Sequence, residues 1–154
     1  MNAYRASLLW FAPHSEGPVR ALFEEDGLLV AGPNAAGAQV VQAIGAYRDL
    51  VGQYPGVPVQ HWPGRIIAPG FVDLHVHYPQ TNVIGSPADG LLPWLENYTF
   101  PEEKRFAALE YSAQAATFFV AELLRNGVTT ALAFATSHPQ SVDALFTEAQ
   151  THNM

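Results

Sequence analysis

The stretch Pro69-Gly70-Phe71-Val72-Asp73-Leu74-His75-Val76-His77 decides how the rest of the chain is read. Two histidines stand two residues apart near the end of an apolar run that opens with Pro-Gly. Side chains of a β-strand alternate between its faces. A strand over Phe71–His77 is therefore expected to project Asp73, His75 and His77 together and to pack Val72, Leu74 and Val76 on the other side. Neutral imidazole suits Zn, Fe and Ni alike, so two rings converging from one strand make half of a divalent metal site. A bare His-x-His pair is more often unrelated to metal. Here Pro-Gly before it and Tyr78-Pro79-Gln80 after it put the pair at the carboxyl end of a short strand entering a loop. In a parallel β/α barrel the catalytic groups gather at that end. Asp73 is read either as helping to orient the site or, the preferred reading, as bonding to neighbouring backbone.

Downstream, residues 78–98 are rich in Pro, Gly, Asn and Asp and read as a long loop, a kind that is usually functional or disordered. Thr99-Phe100-Pro101-Glu102 fits a capping box with Pro in the first helical turn. Phe106, Leu109, Ala113, Ala116, Val120, Leu123 and Leu124 recur at steps of three and four, the buried stripe of an amphipathic helix. Glu102, Glu103, Glu110 and Glu122 are read as its solvated face, and Asn126-Gly127 as its left-handed cap. Residues 128–136 are β-branched and apolar, a buried parallel strand, and 142–150 open another helix. Strand, loop, helix, strand, helix is how a β/α barrel begins.

Upstream, residues 1–68 read as β-rich. A strand is expected over 5–11, then a hairpin of 19–23 and 28–31 turning at Asp26-Gly27. Val40, Val41, Ile44, Tyr47, Leu50 and Val51 predict a helix over 38–51, with short strands over 57–60 and 65–68. His14, His61 and His152 are expected to be surface or packing residues, and His138 a loop residue after the second barrel strand.

Composition narrows the classes. Seven basic residues and a net charge of −7 argue against nucleic-acid binding. Without cysteine there are neither disulfides nor thiolate ligands, so any metal must use His and carboxylate. No stretch reaches the ~20 apolar residues of a membrane span, and the opening apolar run is too short for a secretory signal. A cytoplasmic protein without membrane or nucleic-acid partners is the expectation. A β/α barrel takes about 250 residues. The 154 residues here leave room for two β/α units, and an amino-terminal part of a longer protein is expected.

The run of residues 69–77 resembles the first barrel strand of the metal-dependent amidohydrolase superfamily. His77-Tyr78-Pro79-Gln80-Thr81, Leu92-Pro93-Trp94-Leu95-Glu96-Asn97-Tyr98-Thr99-Phe100-Pro101-Glu102 and Phe134-Ala135-Thr136-Ser137-His138-Pro139-Gln140-Ser141 are similar, more particularly, to the guanine deaminase family within it. The resemblance covers about residues 66–154. It implies an α/β fold, a partial (β/α)8 TIM barrel over 69–154 preceded by a small β-sandwich portion over 1–68. It also implies one Zn2+ held in part by His75 and His77, and a guanine pocket lined by His77, Tyr78, Pro79 and Gln80. Trp94 and Leu95 match a segment near that pocket. The implied reaction is hydrolysis of guanine to xanthine and ammonia by a homodimeric enzyme, with the acid and base groups beyond residue 154. Other amidohydrolases, of cytosine deaminase or chlorohydrolase type, and a non-catalytic remnant or interaction domain stand as alternatives.

Overall fold

A computed structural model describes residues 1–14 and 17–154. The chain divides into two compact units, Met1–Pro69 and Gly70–Met154. In the first, β1 (Asn2–His14), β2 (Gly17–Pro33), β3 (Gln39–Ala46) and β4 (Val59–Ile67) form one sheet in the order β3-β2-β1-β4. β1 and β2 are antiparallel, as are β2 and β3, while β4 lies parallel to β1. Ala3, Leu28 and Val30 form its buried centre, covered by Tyr47, Leu50, Val51, Tyr54 and Val57.

Two expectations fail in this unit. Asp26-Gly27 is no hairpin turn, because β2 runs straight through it. Ala6 pairs with Gly27 but Leu8 with Glu24, so Glu25 and Asp26 form a bulge. The bulge is held by Arg5, whose guanidinium grips both Asp26 carboxylate oxygens at 2.6 and 2.8 Å. The fully buried Leu8 side chain occupies the space a Cβ at Gly27 would need. The apolar spacing over 38–51 is likewise mostly strand: Gln39–Ala46 pairs with β2, and only the single turn α1 (Tyr47–Leu50) is helical. Val40, Val41 and Ile44 are β-branched and favour a pleated edge. The free edge of β2 supplies the hydrogen bonds.

In the second unit, β5 (Phe71–His77) and β6 (Val128–Phe134) pair in parallel. Between them come a 3-10 turn (Tyr78–Val83), α2 (Leu91–Trp94), a π-helical turn (Leu95–Thr99), α3 (Phe100–Arg105) and α4 (Leu109–Arg125). After β6 comes α5 (Pro139–Thr151). Gly70 carries no Cβ because the Thr129 side chain fills that position, which lets β6 lie against the start of β5. Gly127 takes the left-handed conformation after α4 (φ 79°), and its carbonyl accepts the Phe71 N–H at 2.8 Å.

The expected single helix is broken at residues 106–108. Phe106 turns into the core, and Ser112 Oγ donates to its carbonyl at 3.0 Å. The buried face of α4 is Ser112, Ala115, Ala116, Phe119 and Val120, whereas Leu109 and Ala113 are exposed. Tyr78, Phe106, Ala116, Phe119, Val120 and Ala144 form this unit's core. Thr99 does not cap: its own backbone is helical (φ −65°, ψ −56°), so the π-helical turn flows into α3 and leaves no free end there. Its hydroxyl is buried without a partner.

Candidate metal centre

The carboxyl end of β5 carries the two histidines, and a β-bulge aims them. Asp73 pairs with Ala131 and Val76 with Ala133, so Leu74 and His75 stand opposite Leu132 alone. Residues paired across a ladder share a face, and an extra residue breaks the alternation. Asp73 therefore shares the Val76 side, and His77, paired with Phe134, takes the opposite one. This corrects the expectation that Asp73, His75 and His77 project together. Val72 and Leu74, expected to pack, are 59% and 71% exposed. Asp73 acts on backbone: Oδ1 accepts the His75 N–H at 3.0 Å, bracing the bulge.

The outcome is a convergent pair. His75 Nε2 and His77 Nε2 are 3.1 Å apart. Phe134 stacks on His77 at 4.6 Å and 12°, and its ring lies 5.0 Å from His75. Phe134 thus turns toward the histidines and walls one side of them. Nitrogens sharing one tetrahedral zinc at 2.0–2.1 Å stand about 3.3 Å apart, so the pair fits two ligands of a single ion. Among the described residues no group of three or more His, Cys, Asp or Glu side chains could hold a metal. His61 lies in β4, and His152 pairs with Glu148 at 3.2 Å near the carboxyl end. The surroundings of the His14 side chain lie outside the described residues. His138 precedes α5, with its N–H on Thr136 Oγ1 at 3.1 Å.

The 3-10 turn leaves directly from His77. Tyr78 and Pro79 are buried, and the Tyr78 hydroxyl donates to the Ser112 carbonyl at 2.7 Å. Burial pushes the Tyr78 phenol up to about 12, with the Ser112 side chain pulling the other way. The Tyr78 side chain holds the turn to the core, and Pro79 is buried beside it in sequence. Gln80 is half-buried, and its carboxamide has no hydrogen-bond partner among the described residues. Trp94 and Leu95 are half-buried too.

The sequence reading missed a second cluster. Glu102, expected on a solvated face, is only 6% exposed. Its carboxylate accepts hydrogen bonds from the Tyr111 hydroxyl, from Asn82 Nδ2 at 3.0 Å and from Arg105 at 3.0 Å. Asn82 Nδ2 also donates to the Tyr111 oxygen at 2.9 Å, and the Arg105 guanidinium lies 4.0 Å over the Tyr111 ring. Burial works to raise the Glu102 pKa, but the hydrogen bonds from Tyr111, Asn82 and Arg105 outweigh it and hold the carboxyl below its ordinary value. The sequence offered one signal, the Glu102–Arg105 spacing of an i,i+3 helical pair; the partners Asn82 and Tyr111 are visible only once the chain is folded.

The amidohydrolase family model matches residues 66–153. The chain is 46% identical over 133 residues to the guanine deaminase of Escherichia coli (strain K12), covering 86% of this chain and 29% of that protein. The solved structure of the E. coli guanine deaminase superposes with a TM-score of 0.87 at 40% identity, over 100% of this chain and 36% of that one. A guanine deaminase from C. acetobutylicum, solved with guanine in its active site, gives 0.77 at 31% identity over 95% of this chain and 32% of that one. The chain thus spans about a third of the length of these relatives.

Proposed function

The chain belongs to the amidohydrolase family, and on that premise we propose that it supplies the first metal-ligand strand and the base-reading turn of a guanine deaminase. The observation that carries this reading is the convergence of His75 and His77 at the end of β5, with the turn bearing Gln80 leaving from the next residue. The similarity to guanine deaminases supports the substrate. His75 and His77 would hold one Zn2+, which when bound lowers the pKa of its water from about 15.7 towards 7. Phe134 keeps one side of the imidazoles apolar and fixes their planes. Gln80 presents one acceptor and two donors, a set that matches the amide edge of guanine. Tyr78 and Pro79 border the base through main chain, their side chains serving as the anchor of the turn. The remaining ligands and the acid and base groups lie outside residues 1–154 on this reading, which also takes the whole enzyme to be a cytoplasmic homodimer.

Ammonia release from guanine, cytosine and a chlorotriazine by the full-length protein tests the proposal. Guanine is expected to be the substrate. Turnover of either other compound with guanine untouched would move the assignment elsewhere within the family.

A further inference from the structure

The Glu102 cluster joins three elements that the chemistry of the histidine pair does not use. Asn82 belongs to the turn Tyr78–Val83, Glu102 and Arg105 to α3, and Tyr111 to α4. A carboxylate removed from water is costly unless its lone pairs are filled; here Tyr111, Asn82 and Arg105 fill them. One Asn82 amide group reaches both Glu102 and the Tyr111 oxygen. The Tyr111 hydroxyl donates to the carboxylate and accepts from Asn82, so its direction is fixed. The arrangement closes a triangle in which only Asn82 comes from the turn. Gln80 lies two residues before Asn82, and the turn's other end is pinned by Tyr78 in the core. Thr81 Oγ1 donates to the Tyr78 carbonyl at 2.7 Å, tightening the span between the two anchors. Gln80 is thereby suspended between a buried phenol and a buried carboxylate.

We infer that Glu102 is a positioning residue for substrate selection: through Asn82, braced by Tyr111 and Arg105, it fixes the turn that carries Gln80. The inference rests on the guanine-binding role given to Gln80 above. Charge-assisted bonds to a buried carboxylate are about twice as strong as neutral ones. The same turn would hold its path less firmly on Asn82 and Tyr111 alone.

Asn82→Ala cuts the link on the turn side and leaves the α3–α4 part of the cluster intact, so it tests the idea without removing a buried charge. Glu102→Gln and Tyr111→Phe test it from the other side. In the full-length, zinc-loaded protein, Asn82→Ala is expected to raise amide exchange at residues 81–83 tenfold or more. KM for guanine should rise about tenfold, with kcat within threefold and zinc content unchanged. Adding Asn82→Ala to Gln80→Ala should raise KM no further, because the second defect acts through the first. Unchanged exchange at residues 81–83 in both Asn82→Ala and Glu102→Gln overturns the inference. So does a KM rise that is fully additive with Gln80→Ala, or one that merely follows the loss in melting temperature. A wild-type protein that binds zinc but leaves guanine untouched sinks the guanine reading and the selection role with it, while the exchange data still decide whether Glu102 fixes the turn.

Discussion

Tyr78 and Gln80, two residues apart, divide the labour of one turn. Tyr78 spends its side chain on the core, in an edge-on contact with Phe106 at 5.1 Å and a bond to Ser112. Its phenol pKa is raised from 10.0 to about 12. A proton held more tightly in the folded state gives stability that is complete below pH 10 and lost as the pH climbs towards 12. Alkaline urea titrations should show this loss in the wild type and not in Tyr78→Phe, which itself costs about 0.5–1.5 kcal/mol at neutral pH for the missing bond. Glu102 has the opposite sign. Its carboxyl lies below the ordinary 4.5, so its contribution is present above that pH and lost as the pH falls through the depressed value. Glu102→Gln should flatten the acid limb of the stability profile. For Gln80 the expected defect is recognition. Gln80→Ala should keep zinc and weaken guanine turnover by about 1–3 kcal/mol, roughly tenfold to a hundredfold, whereas His77→Ala should lose the metal. A Gln80→Ala protein without zinc would make Gln80 structural.

At the scale of elements, the histidine pair depends on how β5 meets β6. The bulge at Leu74 and His75 and the close approach at Gly70 are both features of that pairing. Gly70→Ala would drive a methyl into Thr129, and overpacking of this kind costs about 1–3 kcal/mol. Denaturation should register that loss, and Thr129→Ala in the same chain should recover part of it by opening the space. Recovery absent from the double variant would mean that contact with Thr129 is not what excludes a side chain at residue 70.

For the molecule as a whole, the ligand count governs what the 154 residues can do alone. Catalytic zinc usually has three protein ligands, and this chain offers the convergent pair His75 and His77. Calorimetry on the isolated chain is expected to find one weak zinc site that His75→Ala abolishes, with no measurable ammonia release from guanine. Turnover by the isolated chain would show that residues 1–154 hold a complete centre. No helix among the described residues is long and apolar enough to cross a membrane.

Local pattern sufficed for β5, for β6 and for the helix after it, because apolar runs bounded by Pro, Gly and Asn carry their own limits. It sufficed also for the amidohydrolase resemblance, since its motifs are contiguous. It failed wherever a distant segment made the choice. Residues 39–46 have helical spacing but find hydrogen bonds along β2. Asp26-Gly27 has turn chemistry, yet Arg5 and the buried Leu8 make it a bulge. The face that Asp73 takes follows from an extra residue in the register with β6. Glu102 has the spacing of a solvated helical face, and its burial is decided by Asn82 and Tyr111, 20 and 9 residues away. A strand's period can be read along the chain, but partners for edges and buried charges exist only after the chain has closed on itself.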